Sequence, residues 1–125
     1  MKCFLSSEFD IDVDGNNKWR HFYLVEKFKT LNKEYHTLVF RFENEIITEC
    51  YLTNGLPYAI YRKLNNRFDN PDLKELNEIE MLMFLHEHKE KLKINLNYYN
   101  PMNQKNKFVK EYFINYIKEI LGDEQ

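Results

Sequence analysis

The first half of the chain shows a two-residue period of apolar and polar positions. Phe9–Asp14 alternates an apolar residue with an aspartate, and the turn-forming sequence Asp-Gly-Asn-Asn starts at Asp14. Successive side chains of a strand point to opposite faces of a sheet. The pattern therefore predicts a strand that ends near Val13, with an apolar face toward the core and its carboxylates outside, followed by a hairpin turn.

Four further segments of the first half are apolar or aromatic enough for strands: KWRHFYLVEKF, YHTLVFRF, IITECYL and LPYAIYRKL. The first of them also fits a helix, so the secondary structure of residues 18–31 stays open. Glu43-Asn44-Glu45 and Asn54-Gly55 are turn sequences, and Asn-Gly is favoured in two-residue hairpins. The pattern predicts an antiparallel β-meander of about five strands over residues 3–64.

A helical period replaces this alternation in the last part of the chain. Asn70-Pro71-Asp72 has the residues of a helix start and predicts a helix over residues 71–92. A broad apolar stripe predicts a second helix over residues 105–121. Residues 94–98 alternate and leave a short extra strand open. Strands followed by helices are typical of the α+β class, here with both C-terminal helices packed on one face of the sheet.

Length and composition indicate a single domain, residues 1–125, because a chain of this size has room for one core. Aromatic residues make up 16% of the chain and supply enough apolar surface for that core. Cys3 and Cys50 are too few for a disulfide framework, and no segment approaches the ~20 apolar residues of a membrane span. Since no signal-like segment is present either, we expect a cytoplasmic protein with reduced thiols.

The charge of the chain argues against nucleic acid as a general partner. The net charge is −2 and the pI is about 6.1, whereas binding to nucleic acid relies on Lys and Arg that neutralise phosphates. The charges are unevenly distributed: Glu8–Asp14 contains four acids and no base, and Lys18–Lys33 is rich in bases. The sequence therefore predicts local acidic surfaces.

The sequence DIDVDG has the spacing of the first ligands of a calcium-binding loop. His21, however, stands where such a loop needs a bidentate glutamate. His86 and His88 point to opposite sides of a helix, so they do not form a zinc pair, and we expect His86 to complete the core face and His88 to lie near solvent. The sequence therefore predicts no metal site and no cofactor.

The residue types that acid–base chemistry uses are scattered over the predicted strands: His21, His36, Arg41, Glu49 and Tyr51. A small metal-independent, nuclease-like enzyme would result if the sheet brought them together. Cys50 as a nucleophile would need a neighbouring base, and we expect it to be a buried, inert thiol. Since phosphate-binding and hydrolase motifs are absent, we predict no catalytic residue.

The interpretation that fits these features best is a small stoichiometric binding protein. Acidic residues beside aromatic ones complement the basic cleft of a toxin that attacks nucleic acid. The leading hypothesis is an immunity or antitoxin-type inhibitor in a 1:1 complex, with six predicted contact residues: Asp10, Asp12, Asp14, Trp19, Glu43 and Glu45. The alternatives are a phage-encoded inhibitor of a host defence protein and the nuclease-like enzyme. Whether the protein is a monomer or a homodimer stays open.

Overall fold

The fold is an antiparallel sheet with one short helix on one face and three helices on the other. A computed structural model describes residues 1–29, 34–65, 71–98 and 107–122. In chain order the elements are β1 (Lys2–Ser6), β2 (Phe9–Asp10), β3 (Lys18–Phe28), β4 (Glu34–Glu43), β5 (Ile46–Asn54), α1 (Tyr58–Leu64), β6 (Leu73–Leu76), α2 (Glu78–Glu87), α3 (Lys89–Tyr98) and α4 (Lys107–Leu121). The strand order is β5-β4-β3-β1-β6, and β2 also pairs with β3. The predicted α+β class is confirmed.

The two longest strands, β3 and β4, form the centre of the sheet. They pair from Trp19 opposite Glu43 to Phe28 opposite Glu34. The part of residues 18–31 that the structure describes is therefore a strand up to Phe28 and not a helix, and residues 30–33 lie outside the described ranges. Its aromatic and β-branched residues suit a pleated surface with two usable faces.

The turn between β4 and β5 confirms the prediction made at Glu43-Asn44-Glu45. Asn44 and Glu45 have φ angles of 51° and 65°, the left-handed conformation that both central residues of a type I′ turn require. Glu43 pairs with Ile46 directly across the turn. Asparagine tolerates this conformation better than most residues, and Glu45 is held in it by contacts that its side chain makes elsewhere.

Helices α2, α3 and α4 bury one face of the sheet, which we call the helix side. Phe22 on β3 stacks on Phe84 of α2 with ring centroids 4.5 Å apart, and Phe42 meets the same ring at 5.6 Å. Helix α4 adds a buried stripe at four-residue intervals: Val109, Phe113, Ile117 and Leu121. The predicted C-terminal helix is confirmed. Among the described helices, none is long and apolar enough to cross a membrane.

The segment Leu56–Leu64, which the sequence predicted as a strand, contains helix α1. Gly55, with a φ of 87°, ends β5, and its N–H donates to the carbonyl of Tyr35 at 2.6 Å. Asn54-Gly55 is therefore not a hairpin turn. Ile60 is fully buried from α1 in a small cluster with Phe4, Val25 and Leu73 on the sheet face opposite the helix side. Burial at this helical position outweighed the strand-like composition, as tertiary contacts often do.

The helix predicted over residues 71–92 begins later and is broken. Leu73–Leu76 is an edge strand that pairs with β1, with Leu76 opposite Cys3. Helix α2 starts after Asn77, whose side chain accepts from the N–H of Glu80 at 2.8 Å while Glu80 accepts from the N–H of Asn77 at 3.1 Å. This reciprocal capping box satisfies two backbone donors, so it defines a stronger start than Asn70-Pro71. The chain leaves helical geometry at His88.

The structure also decides one point that the sequence left open, and it corrects one further prediction. Residues 94–98 belong to helix α3 and form no strand. The strand predicted to end near Val13 ends at Asp10, and Ile11 and Val13 are exposed, Val13 completely. The N–H of Asn16 and the side-chain amide of Asn17 both donate to the Asp12 carboxylate. This local turn supplies hydrogen bonds to the backbone in place of strand pairing. The alternating residues 9–14 therefore form a strand only as far as Asp10.

Candidate functional site: the open face of the sheet

The face of the sheet opposite the helix side is covered by α1 only at one end. Trp19, His21 and Tyr23 alternate along β3 with the buried residues of the helix side. Their neighbours on β4 and β5 follow from the pairing of the strands. We call this surface the open face and define it by eight residues: Phe9, Trp19, His21, Tyr23, Arg41, Glu43, Glu49 and Tyr51.

Four aromatic rings form a continuous row along the open face. The centroids of Phe9 and Trp19 lie 4.9 Å apart, those of Trp19 and His21 5.0 Å, and those of His21 and Tyr23 5.7 Å. Trp19 and His21 meet edge to face, and His21 stacks on Tyr23. Each ring limits the rotamers of the next, so the row presents a preformed aromatic surface.

Arg41 links this row to the carboxylates of the open face. Its guanidinium lies over the ring of Trp19 at 4.8 Å from the centroid, and its Nε donates to Oε1 of Glu43 at 2.9 Å. In the sheet, Arg41 stands directly between His21 on β3 and Glu49 on β5. A cation held over an aromatic ring and fixed by a carboxylate loses little further entropy when a partner binds.

The neighbouring charges and partial burial shift the pKa values of the open face. Burial lowers the pKa of His21, the guanidinium of Arg41 lowers it further, and Glu49 opposes both. Burial raises the pKa of Tyr23 to about 12, with a contribution from Tyr51. Burial and the Glu49 carboxylate also raise the pKa of Tyr51. At neutral pH the surface therefore offers a neutral imidazole and two neutral phenols, which are donors and acceptors of hydrogen bonds.

Of the six predicted contact residues, Trp19 and Glu43 belong to the open face and stand directly opposite each other. Asp12 and Asp14 lie in the loop between β2 and β3. Asp10 pairs with Lys18 in the strands that flank this loop, with Oδ1 3.9 Å from Nζ. The side-chain amide of Asn17 is the main cause of the lowered pKa of Asp12. The three aspartates thus lie in or next to this loop, and they form no carboxylate row on one strand.

Glu45 is on the other side of the sheet and is already engaged within the protein. Its Oε2 accepts from Arg20 at 2.7 Å and lies 3.1 Å from Nε2 of His88. Nδ1 of the buried His88 contacts the carbonyl of Phe84 at 3.0 Å. The expectation for the histidine pair was wrong, since His88 is buried and His86 is exposed. The break between α2 and α3 at His88 turns its ring inward.

The sheet places four of the five residues of the nuclease-like alternative on one face. His21, Arg41, Glu49 and Tyr51 share the open face, whereas His36 is buried on the helix side. The ring of His36 meets Phe28 edge to face at 5.4 Å, and neither of its nitrogens has a hydrogen-bond partner within the described ranges. Cys50 is half-buried, and burial raises the pKa of its thiol to about 12, which keeps it protonated.

Within the described ranges, no group of three or more His, Cys, Asp and Glu side chains is placed to hold an ion. Lys18 rather than a further carboxylate approaches Asp10, and amide groups occupy the carboxylate of Asp12. The DIDVDG sequence forms a turn in which the Asp12 side chain accepts a hydrogen bond from the backbone N–H of Asn16.

The open face contains residues that the sequence did not single out as contacts. Tyr23 was overlooked, and His21, Arg41, Glu49 and Tyr51 were considered only for catalysis. The alternation Trp19, His21, Tyr23 was visible in the sequence, but the residues beside it depend on strand register. Comparisons with protein-family models, with curated proteins and with solved structures found no match to this chain.

Proposed function

We propose that the protein is a stoichiometric binding protein that uses its open face to cover a basic surface on a partner protein. An immunity or antitoxin-type inhibitor of a toxin, acting in the cytoplasm, is the form that fits best. The observation that carries the proposal is the continuous surface in which Arg41 lies over Trp19 while aromatic rings extend to both sides. Trp, Tyr and Arg are the residues most enriched among energetic hot spots of protein interfaces.

The charges around this surface favour a basic partner. Glu43 and Glu49 lie on the open face itself, and the loop between β2 and β3 contributes Asp12 and Asp14. Lys18, Arg20 and Arg41 are cations at the same strand ends, and each is already close to a carboxylate. Carboxylates therefore outnumber cations at this end of the sheet, which raises the association rate with a positively charged surface and lowers it at high salt.

The test is affinity capture followed by measurement of binding with variants. Wild-type protein and a Trp19→Ala variant are used to capture partners from the native host, and binding to the purified partner is then measured by surface plasmon resonance. We expect a 1:1 complex whose Kd rises roughly 30-fold or more for Trp19→Ala. For Asp12→Lys we expect a slower association rate that depends less on salt.

The matched control is Met83→Ala, which removes an exposed apolar side chain from α2, on the helix side. It is expected to leave both the capture and the rates unchanged. Equal loss of binding for Trp19→Ala and Met83→Ala, or full binding by Trp19→Ala, contradicts the proposal. The identity of the partner separates a toxin inhibitor from a phage-encoded inhibitor of a host defence protein, since both would use the same kind of surface.

A second candidate function is favoured by one observation, the alignment of His21, Arg41 and Glu49 across three strands. A neutral imidazole beside a guanidinium is suitable for general-base chemistry on a phosphate ester. For such an enzyme, His21→Gln would abolish turnover of an oligonucleotide and leave its binding intact. For the inhibitor, purified wild-type protein has no turnover, and His21→Gln changes only the affinity for the partner.

A further inference from the structure

The two edges of the sheet differ in how open they are to a further strand. Edge strand β6 has four residues, two of them charged. Edge strand β5 has nine residues, IITECYLTN, with Glu49 as its one charge and neither lysine nor proline. Natural sheets protect their edges with short strands, charges and prolines. An irregularity in the pairing, which also protects an edge, lies where β5 passes from Ile47 to Glu49, next to the turn. By these criteria the β6 edge is protected, whereas the regular stretch of β5 from Glu49 to Asn54 is not.

The backbone of β5 shows which groups face outward. The N–H of Gly55 donates to the carbonyl of Tyr35, one step beyond the pairing of His36 with Asn54. Because hydrogen-bonded and non-hydrogen-bonded pairs alternate in an antiparallel ladder, the amides of Thr53 and Tyr51 also point to β4, whereas those of Leu52 and Cys50 point away. Within the described residues, no other strand pairs with this outer edge.

We propose that β5 accepts an extended strand of the partner protein, so that the partner continues the sheet. The inference rests on the proposed function and adds how the partner is held: main-chain hydrogen bonds go to the outer edge of β5 while side chains reach the open face. Recognition by strand addition combines affinity from the main chain with specificity from alternate side chains.

The side chains of β5 define the chemistry of this strand. Glu49 and Tyr51 point to the open face, so the partner's side chains on that face are basic and meet the Glu49 carboxylate and the Tyr51 hydroxyl. Cys50 and Leu52 point to the helix side and pack against the core, so the intervening side chains of the partner strand are apolar. The occupant is an extended segment in which basic and apolar residues alternate.

The experiment uses the whole chain and a synthetic probe, a seven-residue peptide of alternating lysine and valine with blocked ends. A second peptide has the same residues with a methyl group on alternate backbone nitrogens, so it keeps the charges and loses the main-chain donors. Binding is followed by amide hydrogen exchange detected by NMR. We expect the first peptide to slow the exchange of the Cys50 and Leu52 amides at least tenfold and the methylated peptide to leave them unchanged.

Two protein variants complete the test. Glu49→Lys is expected to weaken binding of the lysine–valine peptide roughly fivefold, whereas Glu87→Lys, an exposed change on α2, has no effect. Equal effects of both peptides, or no slowing at Cys50 and Leu52, overturn the proposal. Slowing that appears without peptide and grows with protein concentration also overturns it, since a second copy of the chain then occupies the edge. These outcomes do not depend on Trp19→Ala, so each proposal fails separately.

Discussion

On the helix side of the sheet, Phe22 and Phe40 are completely buried, whereas on the open face Trp19 is half-buried and Tyr51 is 39% exposed. Both faces carry aromatic residues. Phe22 and Phe40 of the helix side lie on β3 and β4, and Trp19 and Tyr51 of the open face lie on β3 and β5. The helix side surrounds its rings with buried aliphatic side chains such as Leu24, Leu38 and Leu85. The open face places Arg41, Glu43 and Glu49 beside its rings. The difference indicates that one face contributes to the core and the other leaves rings and charges accessible.

An ion pair at the helix side sharpens this comparison. The guanidinium of Arg20 lies over the rings of Phe42 and Phe84, at 5.8 Å and 5.2 Å from their centroids, and pairs with Glu45. Arg41 on the open face has the same combination of ring and carboxylate, but its ring, Trp19, remains accessible. The same interaction therefore covers buried rings on the helix side and an accessible ring on the open face.

The largest expected difference between the faces concerns the core phenylalanines. Phe113→Ala is expected to lower the free energy of unfolding by about 3–5 kcal/mol, because it leaves a cavity under α4. Tyr51→Ala on the open face is expected to cost about 1 kcal/mol or less. Urea denaturation of both variants measures the contrast. A Phe113→Ala protein as stable as wild type would show that α4 is not part of the core.

Glu45→Gln tests the ionic contact at the helix side. Partial burial opposes ionisation of Glu45, but hydrogen bonds from His88 and Arg20 outweigh it and hold its pKa below the ordinary value. A carboxylate with a lowered pKa stabilises the fold above its unfolded pKa, and this contribution disappears as the pH falls through the folded pKa. We expect a loss of about 1.5 kcal/mol at pH 7, after allowance for partial exposure, which vanishes in strong acid.

Denaturation of wild type and Glu45→Gln at several pH values between 7 and 2 measures this effect. Glu43→Gln is the matched control, because it removes a carboxylate that pairs with arginine on the open face. Its cost is expected to be smaller, as for surface ion pairs in general. A difference between wild type and Glu45→Gln that stays constant down to pH 2 would contradict the assigned role of the Glu45 carboxylate.

His36→Leu is expected to stabilise the protein by about 1 kcal/mol. The imidazole is buried beside Phe28, and among the residues that the structure describes neither of its nitrogens has a hydrogen-bond partner. A buried polar group without a partner costs free energy that an apolar side chain of similar size does not. Thermal unfolding compares this variant with His88→Leu, which removes a hydrogen-bonded ring and is expected to be destabilising. A destabilised His36→Leu protein would show that the imidazole has a stabilising contact.

The smallest effect is expected for His21 on the open face. Its pKa is lowered in the folded protein by burial and by Arg41, so the unfolded chain binds the proton more tightly. Stability therefore falls as the pH drops through the ordinary histidine value of about 6.5 toward the folded pKa. Between pH 7 and 5 we expect the free energy of unfolding to fall less for His21→Gln than for wild type, with a difference under ~1 kcal/mol. Urea titrations at these two pH values detect the difference, and identical losses would refute it.

Much of the fold followed from local patterns. The alternation in β4, the turn at Asn44-Glu45 and the stripe of α4 are each formed by residues close in sequence, so local patterns predict them, whereas the pattern of β3 also fitted a helix. The candidate site was predictable only in part. Trp19 and Glu43 were expected as contacts, but Glu45 was placed with them because sequence does not show on which side of a turn a side chain ends.

What the sequence determined by itself was the class of the domain and the faces of its longest elements, because period two and period 3.6 are properties of neighbouring residues. The tertiary structure decided the rest. Burial of Ile60 made a helix of a strand-like segment, and pairing with β1 made a strand of Leu73–Leu76. The open face arose in the same way, since register across three strands placed His21, Arg41 and Glu49 side by side. Such contacts join residues far apart in the chain, and only packing selects among them.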